Sequence, residues 1–218
     1  MILSILSFVT QAAIVDPSDD TILTNRGGGP FTIGFDFTVD VDVRINALGV
    51  EDSLSDGLSI DSSAGMWRVD ADGGESELLA SVVVPAGTDT VLENGFRYVE
   101  LDRVITLTPG NAYRIGAVLG GDDPFTDTAD DGGGGAGYSG ESIEILANRF
   151  AVGAELAEPV NDGTASLGRW VGGNAAFIGS GSDGDSDGDG IFDVWEDVFG
   201  LNKNDPQGHF IWKGYEVI

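Results

Sequence analysis

The residues best placed to do chemistry lie near the C-terminal end of the chain, in the stretch DSDGDGIFDVWE from Asp185 to Glu196. Acids alternate at Asp185, Asp187 and Asp189, Gly190 follows, and Glu196 stands at the twelfth place, so every specified position of the pattern D-x-[DN]-x-[DN]-G-x5-E is filled. This is the chemistry of a calcium ion. A hard cation of that size takes six to eight oxygens, and alternate acidic side chains on a tightly turned loop converge on one point. Asp185, Asp187 and Asp189 would supply the first three ligands, Ile191 its backbone carbonyl, Asp193 a contact through water, and Glu196 both carboxylate oxygens. Gly190 permits the sharp turn, and Phe192 sits where an apolar side chain can be buried. Magnesium fits less well, because it gives up its waters reluctantly and rarely takes an all-protein cage. Without metal these carboxylates repel one another, so the spacing predicts a segment that orders on Ca²⁺, with an affinity on the order of 10⁻⁴ to 10⁻³ M. The competing reading, a plain Asp/Gly linker, does not account for the placement of Gly190 and Glu196.

After the loop, VWEDVFG reads as a short helix with Val194, Trp195, Val198 and Phe199 on one side and Gly200 as its stop signal. Together with the continuation GLNKNDP, this resembles the calcium units of bacterial thrombospondin type 3-like and dockerin-like repeats. The resemblance implies ligand roles for Asp185, Asp187, Asp189, Asp193 and Glu196, with Asn202, Asn204 and Asp205 as further candidates. Those families string several loops together, whereas here there is one.

Other chemistry finds little support, and no enzyme is expected. The single histidine, His209, and the absence of cysteine argue against a Ser-His-Asp triad, a multi-histidine zinc site and thiolate chemistry. Two G-x-G-x-x-G matches, at Gly135, Gly137, Gly140 and at Gly179, Gly181, Gly184, lack the βαβ context of a dinucleotide site. With 37 acids, a carboxylate pair at glycosidase spacing carries no information by itself. Asp52, Asp56 and Asp61, near Trp67, read either as a second ion site or as a polar loop at a sheet end, and the loop reading is preferred. Trp67 and Trp170 could stack on sugars, but they fall within strand-like runs and are expected in the core, as are Tyr98 and Tyr113.

Charge narrows the partners. Against those acids stand 10 basic residues, a net charge of −27, so neither nucleic acid nor an anionic membrane surface is an expected partner. Residues 1 to 13, MILSILSFVTQAA, match the apolar core of a signal peptide that ends in small residues, or else a first buried strand. The run is too short to span a bilayer.

The elements that must carry the loop are β-strands. FTIGFDFTV alternates strictly, placing Phe31, Ile33, Phe35, Phe37 and Val39 on one face of a half-buried strand. Similar runs follow at 43–50, 65–69, 77–84, 96–101, 104–107 and 112–119, separated by turn chemistry such as Glu93-Asn94-Gly95 and Pro109-Gly110-Asn111. Residues 122–140 read as one long loop, 142–150 as either strand or helical turn, and 169–178 as a closing strand with a glycine bulge. The pattern predicts an all-β fold, an antiparallel, jelly-roll-like β-sandwich over 14–180, with a calcium loop and short helix appended over 181–218.

The phrases ALGVEDSLSDGL, LLASVVVPAGT and GFRYVELDRVITLTPGNAYRIGAVLGG, in that order, resemble an uncharacterised all-β domain of exported bacterial proteins, often found with PEP-CTERM sorting tails. The likeness spans about Phe31 to Ile178 and implies location and fold, not chemistry. No Pro-Glu-Pro motif or terminal apolar helix follows Pro206, a departure from that pattern. The expectation is a secreted or cell-surface structural or adhesive protein whose Ca²⁺ loop stiffens a junction, with extracellular polysaccharide or matrix as the partner class. The alternative is a carbohydrate-binding module of an exported polysaccharide-processing system.

Overall fold

The computed structural model describes residues 12–14, 22–26, 29–70, 76–120, 122–128, 143–163, 170–180, 211–212 and 215–216. All of its regular structure is strand, and every pairing whose register is described is antiparallel. Among the described residues no helix is long and apolar enough to cross a membrane.

Three sheets form the first compact unit, residues 1–178. The six-stranded sheet has the order β12 (Asn161–Asp162), β11 (Ile143–Val152), β3 (Phe31–Val39), β9 (Ala112–Leu119), β5 (Ser62–Val69) and β6 (Glu77–Val84). The five-stranded sheet runs β1 (Ala12–Ala13), β14 (Gly173–Ser180), β4 (Val43–Glu51), β8 (Phe96–Leu107) and β7 (Leu92–Glu93). A smaller sheet joins β13 (Trp170–Val171), β10 (Phe125–Thr128) and β2 (Ile22–Arg26). Alternating residues of the two larger sheets meet in one apolar cluster, with Ile33, Phe35, Phe37 and Ile115 from one and Val43, Ile45, Leu48, Phe96 and Leu107 from the other. Ile14, beside the β1 edge, is fully buried in the same cluster and donates its N–H to the carbonyl of Ala175 at 3.1 Å. In the second unit, residues 179–218, the described part is the pairing of β15 (Ile211–Trp212) with β16 (Tyr215–Glu216).

Several elements depart from the reading of local pattern. The runs 96–101 and 104–107 are one strand, β8, because both pair with β4; a register shift between Ile45 and Ala47 absorbs the extra residues on β8 as a bulge. The 142–150 ambiguity resolves as strand β11, which pairs with β3 along its whole length. Strand β10 lies inside what reads as a loop at 122–140, held by pairing on both sides. The closing strand is two, β13 and β14, in different sheets: the chain changes sheet at Gly172, where a Cβ would stand 2.7 Å from Ile33 Cβ. The β7–β8 hairpin turns at Asn94 and Gly95, whose φ values of 48° and 80° are those a two-residue type I′ turn requires.

The largest difference concerns β3, which is covered on both faces: Thr32 and Asp36, on the side opposite Phe35 and Phe37, are 0% and 6% exposed. The cover is a strap, residues 153–160, that crosses the outer face of the sheet. Gly34, Gly116 and Gly65 are cross-strand partners in β3, β9 and β5, so that face carries a row without side chains. Pro159 and Leu156 settle over it; a Cβ on Gly116 would lie 3.0 Å from Pro159 Cγ, and one on Gly65 3.0 Å from Leu156 Cδ2. Glycine in a strand interior weakens a sheet, and its common use is close approach of another segment. Gly116→Val is therefore expected to destabilise the protein by about 1–3 kcal/mol through overpacking. In urea titrations of the single and double variants, Pro159→Gly should recover part of that loss, a coupling that independent sites would lack.

Candidate functional site

The acidic loop residues Asp185, Asp187, Asp189, Ile191, Asp193 and Glu196, and the helix expected after them, lie outside the described residues. Among the described residues no three acidic or histidine side chains form a group able to hold a metal ion. What the described residues show is where the other charges go.

Asp52, Asp56 and Asp61 form no common ion site, and Asp52 and Asp61 serve different partners. Asp52, at the end of β4, is 4% exposed; its Oδ2 accepts from Arg97 Nε at 2.8 Å and from the Gly57 N–H at 3.1 Å. Arg97 is buried too, and its Nη1 donates to the carbonyls of Thr88 and Thr90 at 3.1 and 2.7 Å. Asp61 accepts the Ala86 N–H at 2.9 Å, while Asp56 is exposed. Close by, Asp123 accepts the Ser59 N–H on both oxygens and the Ser59 hydroxyl at 2.7 Å. These carboxylates tie the connections 52–61, 85–90 and 122–124 together at one end of the sheets, the work of a polar loop cluster.

Glu51 is the unusual member. It is 2% exposed, and both its oxygens accept the Thr126 N–H, at 3.1 and 2.9 Å, which binds β10 of the small sheet to β4. Burial pushes the carboxyl up to about 8; hydrogen bonding from Thr126 lowers it, and the neighbouring Asp52 charge raises it further. A carboxyl raised so far favours its neutral form at neutral pH.

A second ionic cluster lies on the outer face of the six-stranded sheet. Asp36 of β3 receives Arg114 of β9 through Nε at 2.6 Å and Nη2 at 3.0 Å, and Arg149 of β11 through Nε at 2.7 Å. Arg114 Nη1 reaches Glu158 of the strap at 2.5 Å, and Arg149 pairs with Asp162. Burial opposes the charge on Arg114, but Asp36 and then Glu158 outweigh it and its pKa is raised. Sequence pattern marks Asp36 only as an outward residue on an alternating strand; its depth follows from partners on β9 and β11.

The tryptophans are in the interior. Trp67 is 6% exposed, with its ring edge against Gly65, and Trp170 is 9% exposed, with ring centroids of Phe125 and Phe150 5.8 and 6.0 Å away. Tyr113 is buried in the core and Tyr98 is half-buried, its ring against Gly49. The exposed large apolar side chains among the described residues are all aliphatic, among them Leu78, Val83, Val152 and Val160. An open groove of about 340 Å³ lies at Arg68, Asp70, Glu77 and Asn111, where Arg68 pairs with Glu77 at 2.5 Å.

Two outcomes follow from the buried charges. Arg97→Met leaves Asp52 buried without its cation and should cost about 3–5 kcal/mol in denaturant unfolding, a loss that Asp52→Asn in the same chain should reduce. For Glu51 the folded pKa lies above the unfolded one, so its contribution is full below about 4.5 and is lost as pH rises to about 8. Glu51→Gln should therefore gain on the native protein by about 1.4 kcal/mol per pH unit across that window, with no further gain above it, in urea unfolding at stepped pH.

No family model matches this chain, and no curated protein matches it either.

Proposed function

We propose that this chain is a non-catalytic secreted or cell-surface protein of structural or adhesive role, in which a jelly-roll-like β-sandwich carries one Ca²⁺-binding loop, Asp185–Glu196, that stiffens the C-terminal junction. The observation that carries the reading is the spacing of Asp185, Asp187, Asp189, Gly190, Asp193 and Glu196, which meets each requirement of an oxygen cage for a calcium-sized ion. Two features of the described residues support a structural role for the body. Asp36, Asp52, Asp123, Arg97 and Arg114 are engaged with one another or with backbone groups, and Trp67 and Trp170, the obvious sugar-stacking candidates, are buried. The same burial weighs against the carbohydrate-binding alternative. Extracellular calcium, being abundant, suits a weak single loop.

Calorimetric titration with CaCl₂ should give one site with a Kd on the order of 10⁻⁴ to 10⁻³ M. Glu196→Gln, which removes the bidentate charge, should weaken it about tenfold or more and abolish calcium-dependent protection of the C-terminal segment from proteolysis. A native chain that shows no heat and no protection at millimolar calcium refutes the proposal.

A further inference from the structure

The strap over the six-stranded sheet is anchored at both ends, by β11 before it and by the pairing of β12 with β11 after it, and few polar contacts hold the stretch between. Of residues 153–160 only Pro159 is buried. Gly153 donates to the Pro30 carbonyl at 3.1 Å at one end, Ala157 donates to Thr32 Oγ1 at 3.3 Å in the middle, and the short polar link is Glu158 to Arg114. Beneath lies a trough. Its floor includes Gly116, under Pro159 and beside Thr32, and Gly65, where the ring of Trp67, buried yet outside the main core cluster, lies beside Leu156. Arg114 is held from below: Asp36 engages Nε and Nη2, which aims Nη1 at the strap.

We propose that this trough is a recognition site for an extended acidic peptide segment, and that the strap sequence AELAEPV, residues 154–160, occupies it in cis as a built-in competitor. The guanidinium is oriented by a buried carboxylate that does not belong to the strap, so Nη1 stays in place when Glu158 leaves, and such preorganisation lowers the cost of binding. The occupant chemistry is read from what sits there now: an aliphatic side chain, Leu156, over Gly65, a carboxylate, Glu158, on Arg114, and a proline ring, Pro159, over Gly116. With Glu158 withdrawn, Arg114 and Arg149 face Asp36 and Asp162, so the site sheds its surplus negative charge. The net charge of −27 repels an acidic partner at long range, but screening at physiological salt confines that to about 8 Å. Nothing in this inference depends on the calcium loop.

The test uses the full chain, native and with the strap loosened by Glu158→Ala and Pro159→Gly, titrated at physiological salt against a fluorescent synthetic AELAEPV peptide. The loosened chain is expected to bind at least about tenfold tighter than the native one, and a peptide with glutamine in place of its second glutamate to bind about tenfold more weakly. If the double variant does not fold, Glu158→Ala alone, which keeps Pro159 in place, carries the same comparison. A folded loosened chain that ignores the peptide, equal binding by native and loosened chains, or binding of oligogalacturonate in place of the peptide would each overturn the proposal.

Discussion

A carboxylate on the outer face of a strand stays out of water only if cations meet it there, and Asp36 is met by two. Arg114 and Arg149 come from the strands on either side of β3, so one anion draws three neighbouring strands into a shared ionic bond. The strap depends on the same cluster, since its Glu158 uses the donor that Asp36 leaves over. Desolvating such charges is costly, and losing one partner costs more than the pair contributes; that asymmetry pins the arrangement.

The composition makes this use of cations telling. With 10 basic residues against 37 acids, an arginine committed to the interior is one the surface lacks. Arg97, Arg114 and Arg149 are nevertheless placed inside or half inside, Arg97 on Asp52, which also holds the Gly57 loop, and the other two on Asp36, with Arg114 reaching on to Glu158 of the strap. Acids that cannot be matched by arginine accept backbone N–H groups, as Asp123 does from Ser59, or are held protonated by burial, as Glu51 is against Thr126. The acids of this body are thereby divided into a buried structural set and an exposed remainder. The closely spaced run from Asp185 to Glu196 is the segment whose pattern fits a cation.

What the amino-acid order determined alone is what depends on near neighbours. Alternation wrote the strand Phe31–Val39, because the pleat has a period of two, apolar runs bounded by turn residues marked Glu77–Val84 and Ala112–Leu119, and Asn94-Gly95 wrote a hairpin turn, because its φ values suit few other residues. The calcium pattern is legible for the same reason, as all its proposed ligands fall within one contiguous dozen residues. Tertiary structure decided whatever depends on who arrives from afar. Asp52 meets Arg97 45 positions away, Glu51 meets Thr126 75 positions away, and Asp36 meets Arg149 113 positions away. Pairing with β4 merged two strand-like runs into β8, pairing with β2 and β13 drew a strand out of a loop, and the register of three strands lined up Gly34, Gly116 and Gly65 beneath a strap. Local sequence sets which way a side chain points; only the packing of distant segments decides whether water or an arginine waits there.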